Sequence, residues 1–94
     1  MPTEHRERGF DFLIYTNDHL PMHVHAKHGD ELALFNLGDV EWRQDEQGNP
    51  VPVVLEAPSL RRNRNMKPIH LRRAFALIIK QQAKLISAWH RIHG

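Results

Sequence analysis

Apolar residues in the last third of the chain recur with the period of an α-helix. At about 100° per residue, nine of them fall in one continuous arc. These nine are Leu71, Ala74, Phe75, Ile78, Ile79, Leu85, Ile86, Trp89 and Ile92. Pro68 suits the first turn of a helix, and Gly94 stands just past the end of the arc. The pattern predicts one long helix over residues 71–92, roughly 35 Å long, which must bury this arc against another element.

Short β-branched and aromatic runs, separated by turn residues, occupy the first half of the chain. Alternation over residues 10–15 places Phe10, Phe12 and Ile14 on one face of a strand. Further strands are predicted over residues 22–27 and 31–37, and a fourth over residues 40–43, with turns at Gly29 and Gly38. We therefore predict an α+β fold: a three- or four-stranded antiparallel meander packed on the long C-terminal helix.

The 94 residues are enough for a single domain, residues 1–94, with one modest core. Residues 1–8 are polar and are expected to be flexible. Residues 44–67 are predicted to form a basic loop or an edge strand, because Pro52 interrupts the apolar run at 51–55 and arginines cluster at 61–64. The absence of cysteine excludes disulfides, cysteine-based zinc sites and thiol nucleophiles. The chain lacks a signal-peptide core and any apolar run of about 18 residues, so we expect a cytoplasmic protein with no membrane contact.

Residues 17–26 contain the densest set of chemically active side chains. Alternation on the second strand directs His23 and His25 to one face, as paired metal ligands require, and sends His28 to the other. His19 or Asp18, from the preceding turn, would complete a site for a divalent metal such as zinc. Two alternatives stay open. His23 and His25 could be catalytic by metal-free proton transfer, or the histidines could be structural and bond the backbone of a proline-containing corner.

Charge divides the chain into two halves. Residues 1–56 contain four Lys or Arg and all eleven Asp or Glu, a net charge of −7, whereas residues 57–94 contain nine Lys or Arg and no acid, a net charge of +9. The nine candidate contacts for nucleic acid or an acidic partner protein are Arg61, Arg62, Arg64, Lys67, Arg72, Arg73, Lys80, Lys84 and Arg91. Alternatively, the two halves neutralise each other within the fold, or between two copies in a homodimer.

A longer pattern resembles a known family. It comprises Gly9-Phe10-x-Phe12, then Tyr15-x-Asn17-Asp18-His19-x-Pro21-x-His23-Val24-His25, and a basic amphipathic helix that ends with Ala88-Trp89. This combination resembles the DUF-4160 family of small bacterial proteins of unknown function, with Met22 in place of the usual second proline of the signature. The resemblance implies a small cytoplasmic α+β protein that acts with a partner. That partner would be a second small protein of the DUF-2442 type in a toxin–antitoxin-like gene pair.

Two functional hypotheses follow. The first is a binding protein of a toxin–antitoxin-like or regulatory module, which contacts nucleic acid or an acidic partner protein through its basic C-terminal half. The alternative is a histidine- or metal-dependent enzyme, for example a nuclease, centred on His19, His23 and His25. The sequence contains no evident nucleophile or oxyanion donor to accompany these histidines.

Overall fold

The computed structural model of the chain describes residues 3–94. It contains seven strands and two helices. The strands are β1 Thr3–Glu7, β2 Phe10–Leu13, β3 His23–His28, β4 Glu31–Asn36, β5 Asp39–Gln44, β6 Pro50–Glu56 and β7 Ser59–Asn63, and the helices are α1 Pro68–Lys80 and α2 Gln82–His93. Strands β1, β2, β3, β4 and β7 form one antiparallel sheet in that order. The predicted α+β class and the antiparallel meander of β2, β3 and β4 are confirmed.

Both edges of this sheet come from segments that were expected to be irregular. Residues 1–8, predicted to be flexible, contribute β1 on the outer side of β2; the first two of them lie outside the described residues. Within residues 44–67, the apolar run at 51–55 that was predicted as an edge strand lies in β6, and the arginine cluster that was predicted as a loop begins within β7. Polar composition concealed both strands, because an edge strand needs only one paired side and little apolar surface.

Strand β5 does not continue the meander, contrary to the prediction for residues 40–43. It pairs only with β6, in a separate two-stranded sheet. Gly38 turns the chain away from β4 with a φ of 71°, and a Cβ atom at that position would lie 2.2 Å from the Glu56 carbonyl oxygen. The β5–β6 hairpin therefore closes at its base, while β7 takes the free edge of β4.

The C-terminal segment is two helices, so the prediction of one long helix is wrong. The chain leaves helical dihedrals at Gln81 (φ −105°, ψ 14°), although the Gln81 N–H still bonds the Leu77 carbonyl oxygen. Next to this break, the buried Gln82 side chain donates from Nε2 to the carbonyl oxygens of Leu37 and Glu56, both at 2.8 Å. These bonds join the start of α2 to the loop after β4 and to the base of the hairpin.

The core lies between the five-stranded sheet and the helices. Phe10, Phe12 and Ile14 are buried on one face, as alternation predicted, and Trp89 is buried in the core. Of the predicted helical arc, Ile79 is the exception, at 52% exposed. No helix within residues 3–94 has the length and apolar character needed to span a membrane.

Candidate functional site

The turn between β2 and β3 closes on itself through Asp18. Asp18 Oδ2 accepts the Tyr15 backbone N–H at 2.9 Å, and the Asp18 N–H donates to the Tyr15 carbonyl oxygen at 3.1 Å. This is the side-chain-to-backbone bonding for which aspartate is favoured in turns. The turn ends at a cis Leu20–Pro21 peptide bond. Because Oδ2 is engaged by the turn, Oδ1 is the carboxylate oxygen that points toward the start of β3.

Two histidines of β3 face this oxygen. His23 Nε2 lies 3.4 Å and His25 Nε2 3.3 Å from Asp18 Oδ1. The three potential ligand atoms all lie within 4.8 Å of one another. His23 is 5% exposed, and its ring centroid lies 5.4 Å from those of His25 and Trp89. We call Asp18, His23 and His25 the corner site.

The other side of the His23 ring contacts the backbone and a distant arginine. His23 Nδ1 lies 2.9 Å from the Pro21 carbonyl oxygen, a distance that assigns the proton to Nδ1. Arg61 Nη1 approaches the same carbonyl oxygen at 3.5 Å and lies 3.2 Å from Nδ1. With Nδ1 bonded to the Pro21 carbonyl oxygen, Nε2 is the ring nitrogen of His23 that faces the Asp18 carboxylate.

The Asp18 carboxyl is held in its ionised form. Partial burial raises its pKa, but the Tyr15 N–H, the hydrogen bond from His25 and the charges of His25 and His23 together outweigh burial, so the pKa lies below its ordinary value. The corner site thus combines one carboxylate oxygen with two imidazole nitrogens, which is a donor set that divalent transition metals bind.

The structure brings together three of the four predicted metal ligands. His19 is exposed in the turn and lies outside the corner site. His28 faces the opposite side of the sheet from His25, as alternation predicted, and its ring lies 4.8 Å from that of Phe10.

His28 belongs instead to a second group, with Glu31 and His70, that the sequence analysis missed. Glu31 Oε2 lies 2.8 Å from His70 Nδ1 and 3.4 Å from His28 Nδ1, and Oε1 accepts the Lys67 N–H at 2.7 Å. The Lys67 N–H, followed by the His70 hydrogen bond, lowers the Glu31 pKa to about 2. We call Glu31, His28 and His70 the helix-start group, because it anchors the first turn of α1. Of this group, only His28 and Glu31 are close in sequence, three residues apart, so only this pair could have been recognised from the sequence.

The C-terminal cations divide into separate groups. Three lie against β1: Lys80, Lys84 and Arg91 contact Glu7, His5 and Glu4, respectively. In the first of these pairs, Lys80 Nζ lies 2.6 Å from Glu7 Oε2. Hydrogen bonds from His5 and then Lys80 lower the Glu7 pKa to about 2. Arg73 lies apart from them, beside Arg8 at a small cavity that also contacts Phe10. The acidic half therefore neutralises part of the basic half, at β1.

The remaining cations surround β7. The β7 surface consists of Leu60, Arg61 and Arg62 of the strand, Arg64 and Lys67 after it, and Arg72 of α1. Among residues 3–94, no carboxylate oxygen lies within 4.0 Å of a side-chain nitrogen of these five cations. Every residue of β7 is exposed. Leu60 and Arg72 line an apolar pocket of about 210 Å³, together with Phe35, Leu71 and Phe75.

A bulge connects the β7 surface to the corner site. Phe35 pairs with Leu60 and Leu34 pairs with Arg62, so that Arg61 is an extra residue on β7. The Arg61 guanidinium reaches Pro21 and His23 from this position. The arginines and the histidines were predicted to be separate features, because a contact between residues 38 positions apart requires β7 to be a strand beside β4.

The family model described as "Domain of unknown function (DUF4160)" matches residues 9–90, nearly the whole chain. The chain belongs to this family, as its Asn-Asp-His-x-Pro-x-His-x-His segment suggested. No curated protein and no solved structure matches the chain.

Proposed function

We propose that this member of the DUF4160 family is a binding protein whose β7 surface holds an acidic, extended segment of a partner protein. One observation carries the proposal: β7, at one edge of the sheet, is exposed along its whole length, and the five cations in and near it lack carboxylate partners within residues 3–94.

An edge strand offers backbone hydrogen-bonding groups that a partner strand can satisfy. Strand β7 pairs with β4 on one side, and the residues described here form no ladder on its other side. An extended peptide that adds to such an edge gains main-chain hydrogen bonds along its length. Proteins commonly protect edges with charged side chains and bulges, and β7 has both, which restricts pairing to a complementary strand.

The pocket beside Leu60 gives such pairing a source of specificity. Its lining is apolar, and Phe35, Leu71 and Phe75 contribute to it together with Arg72. Alternate side chains of an added strand point to the same face of the sheet, so one of them can enter the pocket. An apolar residue flanked by acidic residues is the sequence that this arrangement favours.

These features favour a protein partner over nucleic acid. Phosphate-backbone contacts require cations but use neither an unpaired strand edge nor an apolar pocket. The aromatic side chains next to the β7 surface, Phe35 and Phe75, line the pocket and are buried or partly buried, so neither is an exposed platform on which a base could stack. The partner that we infer is a small protein of the DUF-2442 type, and the pair would act as a toxin–antitoxin-like or regulatory module.

Two double charge reversals test the location of the surface. Arg62→Glu/Arg64→Glu changes exposed cations of the β7 surface, and Arg8→Glu/Arg73→Glu makes the same change in net charge at the cavity near Phe10. Calorimetric titration with a purified DUF-2442-type protein should show an affinity loss of at least about tenfold for the first variant. The second variant should stay within about threefold of the unchanged protein.

Equal losses in the two variants would show that net charge alone drives binding, and would contradict a site on β7. Titration of a 20-base-pair DNA duplex supplies the competing outcome. If the unchanged protein binds the duplex more tightly than the DUF-2442-type protein, with a steep dependence on salt, the β7 surface is a nucleic-acid contact instead.

A further inference from the structure

We infer that the corner site binds one divalent transition-metal ion, of which Zn²⁺ is the representative, through Asp18 Oδ1, His23 Nε2 and His25 Nε2. None of the three ligands belongs to the β7 surface, although Arg61 of that surface contacts His23. The inference rests on the spacing of the ligand atoms, on how each ligand is oriented, and on the contrast with the helix-start group.

The spacing of Asp18 Oδ1 from the two imidazole nitrogens matches two edges of a coordination polyhedron and is longer than a strong hydrogen bond. Zinc bonds of about 2.0–2.1 Å place two ligand atoms of a tetrahedral site about 3.3–3.4 Å apart. The two distances from Asp18 Oδ1, 3.3 Å to His25 Nε2 and 3.4 Å to His23 Nε2, equal that edge. Charge-assisted N–H···O bonds are usually about 2.7–2.9 Å long.

The outer contacts of the ligands are those that orient metal ligands in proteins. Metal-binding histidines donate their other ring N–H to a carbonyl or carboxylate, and ligating carboxylates are themselves hydrogen-bonded. His23 Nδ1 donates to the Pro21 carbonyl oxygen at 2.9 Å, and Asp18 Oδ2 accepts the Tyr15 N–H at 2.9 Å. The His25 ring is held edge-on to Tyr15 at 4.8 Å. Asp18 Oδ1 and the Nε2 atoms of His23 and His25 are then the atoms that face the position of the ion.

The helix-start group contains similar side chains but is arranged for hydrogen bonding. Its shortest distances, 2.7 Å from the Lys67 N to Glu31 Oε1 and 2.8 Å from His70 Nδ1 to Glu31 Oε2, are ordinary hydrogen-bond lengths. Glu31 Oε1 accepts the Lys67 N–H and Oε2 bonds His70, so a metal ion on Oε2 would displace a hydrogen bond of 2.8 Å. This group therefore serves as an internal control for the inference.

Three protein ligands leave at least one coordination position for water or another ligand. Structural zinc sites usually have four protein ligands, whereas sites that act on a ligand keep one position open. Among residues 3–94, no fourth His, Asp, Glu or Cys joins the corner site. The inferred ion would thus be able to bind an exogenous small ligand.

Calorimetric titration of tag-free, chelator-treated protein with ZnCl₂ tests the site. The unchanged protein should bind one equivalent, while Asp18→Asn and His25→Ala should each weaken binding by at least about a hundredfold. The matched control, His70→Ala, removes a histidine from the helix-start group and should stay within about threefold. Asp18→Asn retains an oxygen for the Tyr15 N–H, so it tests the ligand even if His25→Ala fails to fold.

Cobalt provides a second measurement that does not depend on heats. Co²⁺ added to the unchanged protein and to His70→Ala should produce the intense visible d–d absorption of four-coordinate cobalt, which Asp18→Asn should lack. Absence of one-equivalent binding in the unchanged protein would overturn the inference. So would a loss of binding in His70→Ala that equals or exceeds the loss in Asp18→Asn.

Discussion

Glu31 joins parts of the molecule that are distant in sequence. It begins β4, accepts the backbone N–H of the N-cap residue Lys67, and bonds the His70 ring in the first turn of the helix. Lys67, at the N-cap position, makes no side-chain cap of its own. A carboxylate at a helix N-terminus is also favoured by the helix dipole. Glu31 therefore performs from the sheet the capping that the helix sequence lacks.

The lowered pKa of Glu31 makes this capping dependent on pH. Because the pKa is about 2 in the folded protein and 4.5 ordinarily, the stabilisation is complete above pH 4.5 and is lost as the pH falls toward 2. Glu31→Gln should therefore show a shallower decline in unfolding free energy over this range than the unchanged protein. Urea denaturation at a series of pH values measures both slopes. Part of the slope should persist, because Glu7 has a similarly lowered pKa.

Glu46→Gln, a change in the exposed turn of the β5–β6 hairpin, is the control and should leave the slope unaltered. Identical slopes for Glu31→Gln and the unchanged protein would contradict a capping role.

At the level of the elements, Gln82 lies next to the break in the C-terminal segment and bonds that segment to the rest of the fold. Its position four residues after Ile78 and three before Leu85 lies within the apolar stripe. A glutamine there is the one sequence signal that could have indicated the break, but the apolar period passes through it without interruption. The helical period predicted the buried face, because apolar residues at that spacing share one side of a helix. It did not predict the break, which lies next to the bonds of Gln82 to the carbonyl oxygens of Leu37 and Glu56, residues distant in sequence.

Gln82→Ala should destabilise the fold by about 1–3 kcal/mol, because it leaves two carbonyl oxygens at the base of the hairpin without their donor. Gln81→Ala, which removes only a 3.4 Å contact to Glu7, is the adjacent control and should cost less than about 0.5 kcal/mol. Chemical denaturation of both variants gives the comparison. Equal effects would show that the bonds of Gln82 contribute no net stability.

Across the whole molecule, the ion pairs that join Lys or Arg of the basic half to carboxylates of the acidic half, among residues 3–94, lie at β1. There, Glu4 pairs with Arg91 and Glu7 pairs with Lys80, so the acidic half neutralises part of the basic half. The β7 surface remains without acidic partners. The sequence could not distinguish these regions, since the difference depends on β1 lying at one edge of the sheet and β7 at the other. The convergence of His23 and His25 on Asp18 was predictable, because strand alternation and a short turn determine it locally.

The β5–β6 hairpin should open at lower free energy than the five-stranded sheet. It forms a sheet of its own, and Trp42, Val54 and Leu55 are each more than half exposed. Regions with little buried apolar surface open locally before the core does. In hydrogen-exchange mass spectrometry, peptides from residues 39–56 should lose protection at least about tenfold faster than peptides from β2, β3 and β4. Exchange of the same peptides in urea corrects for intrinsic rates, and equal protection would contradict this order.

The bulge at Arg61 determines how β7 would respond to the loss of one residue. Leu60 and Asn63 are three residues apart, yet they pair with Phe35 and Ala33, which face the same side of the sheet. Ordinary alternation would place them on opposite sides. Arg61 is the extra residue that lets both of them face the same side. Without it, Leu60 and Arg62 would be neighbours and could still pair with Phe35 and Leu34. Arg61 is thus dispensable to the architecture, and a deletion there would remove a guanidinium without shifting its neighbours.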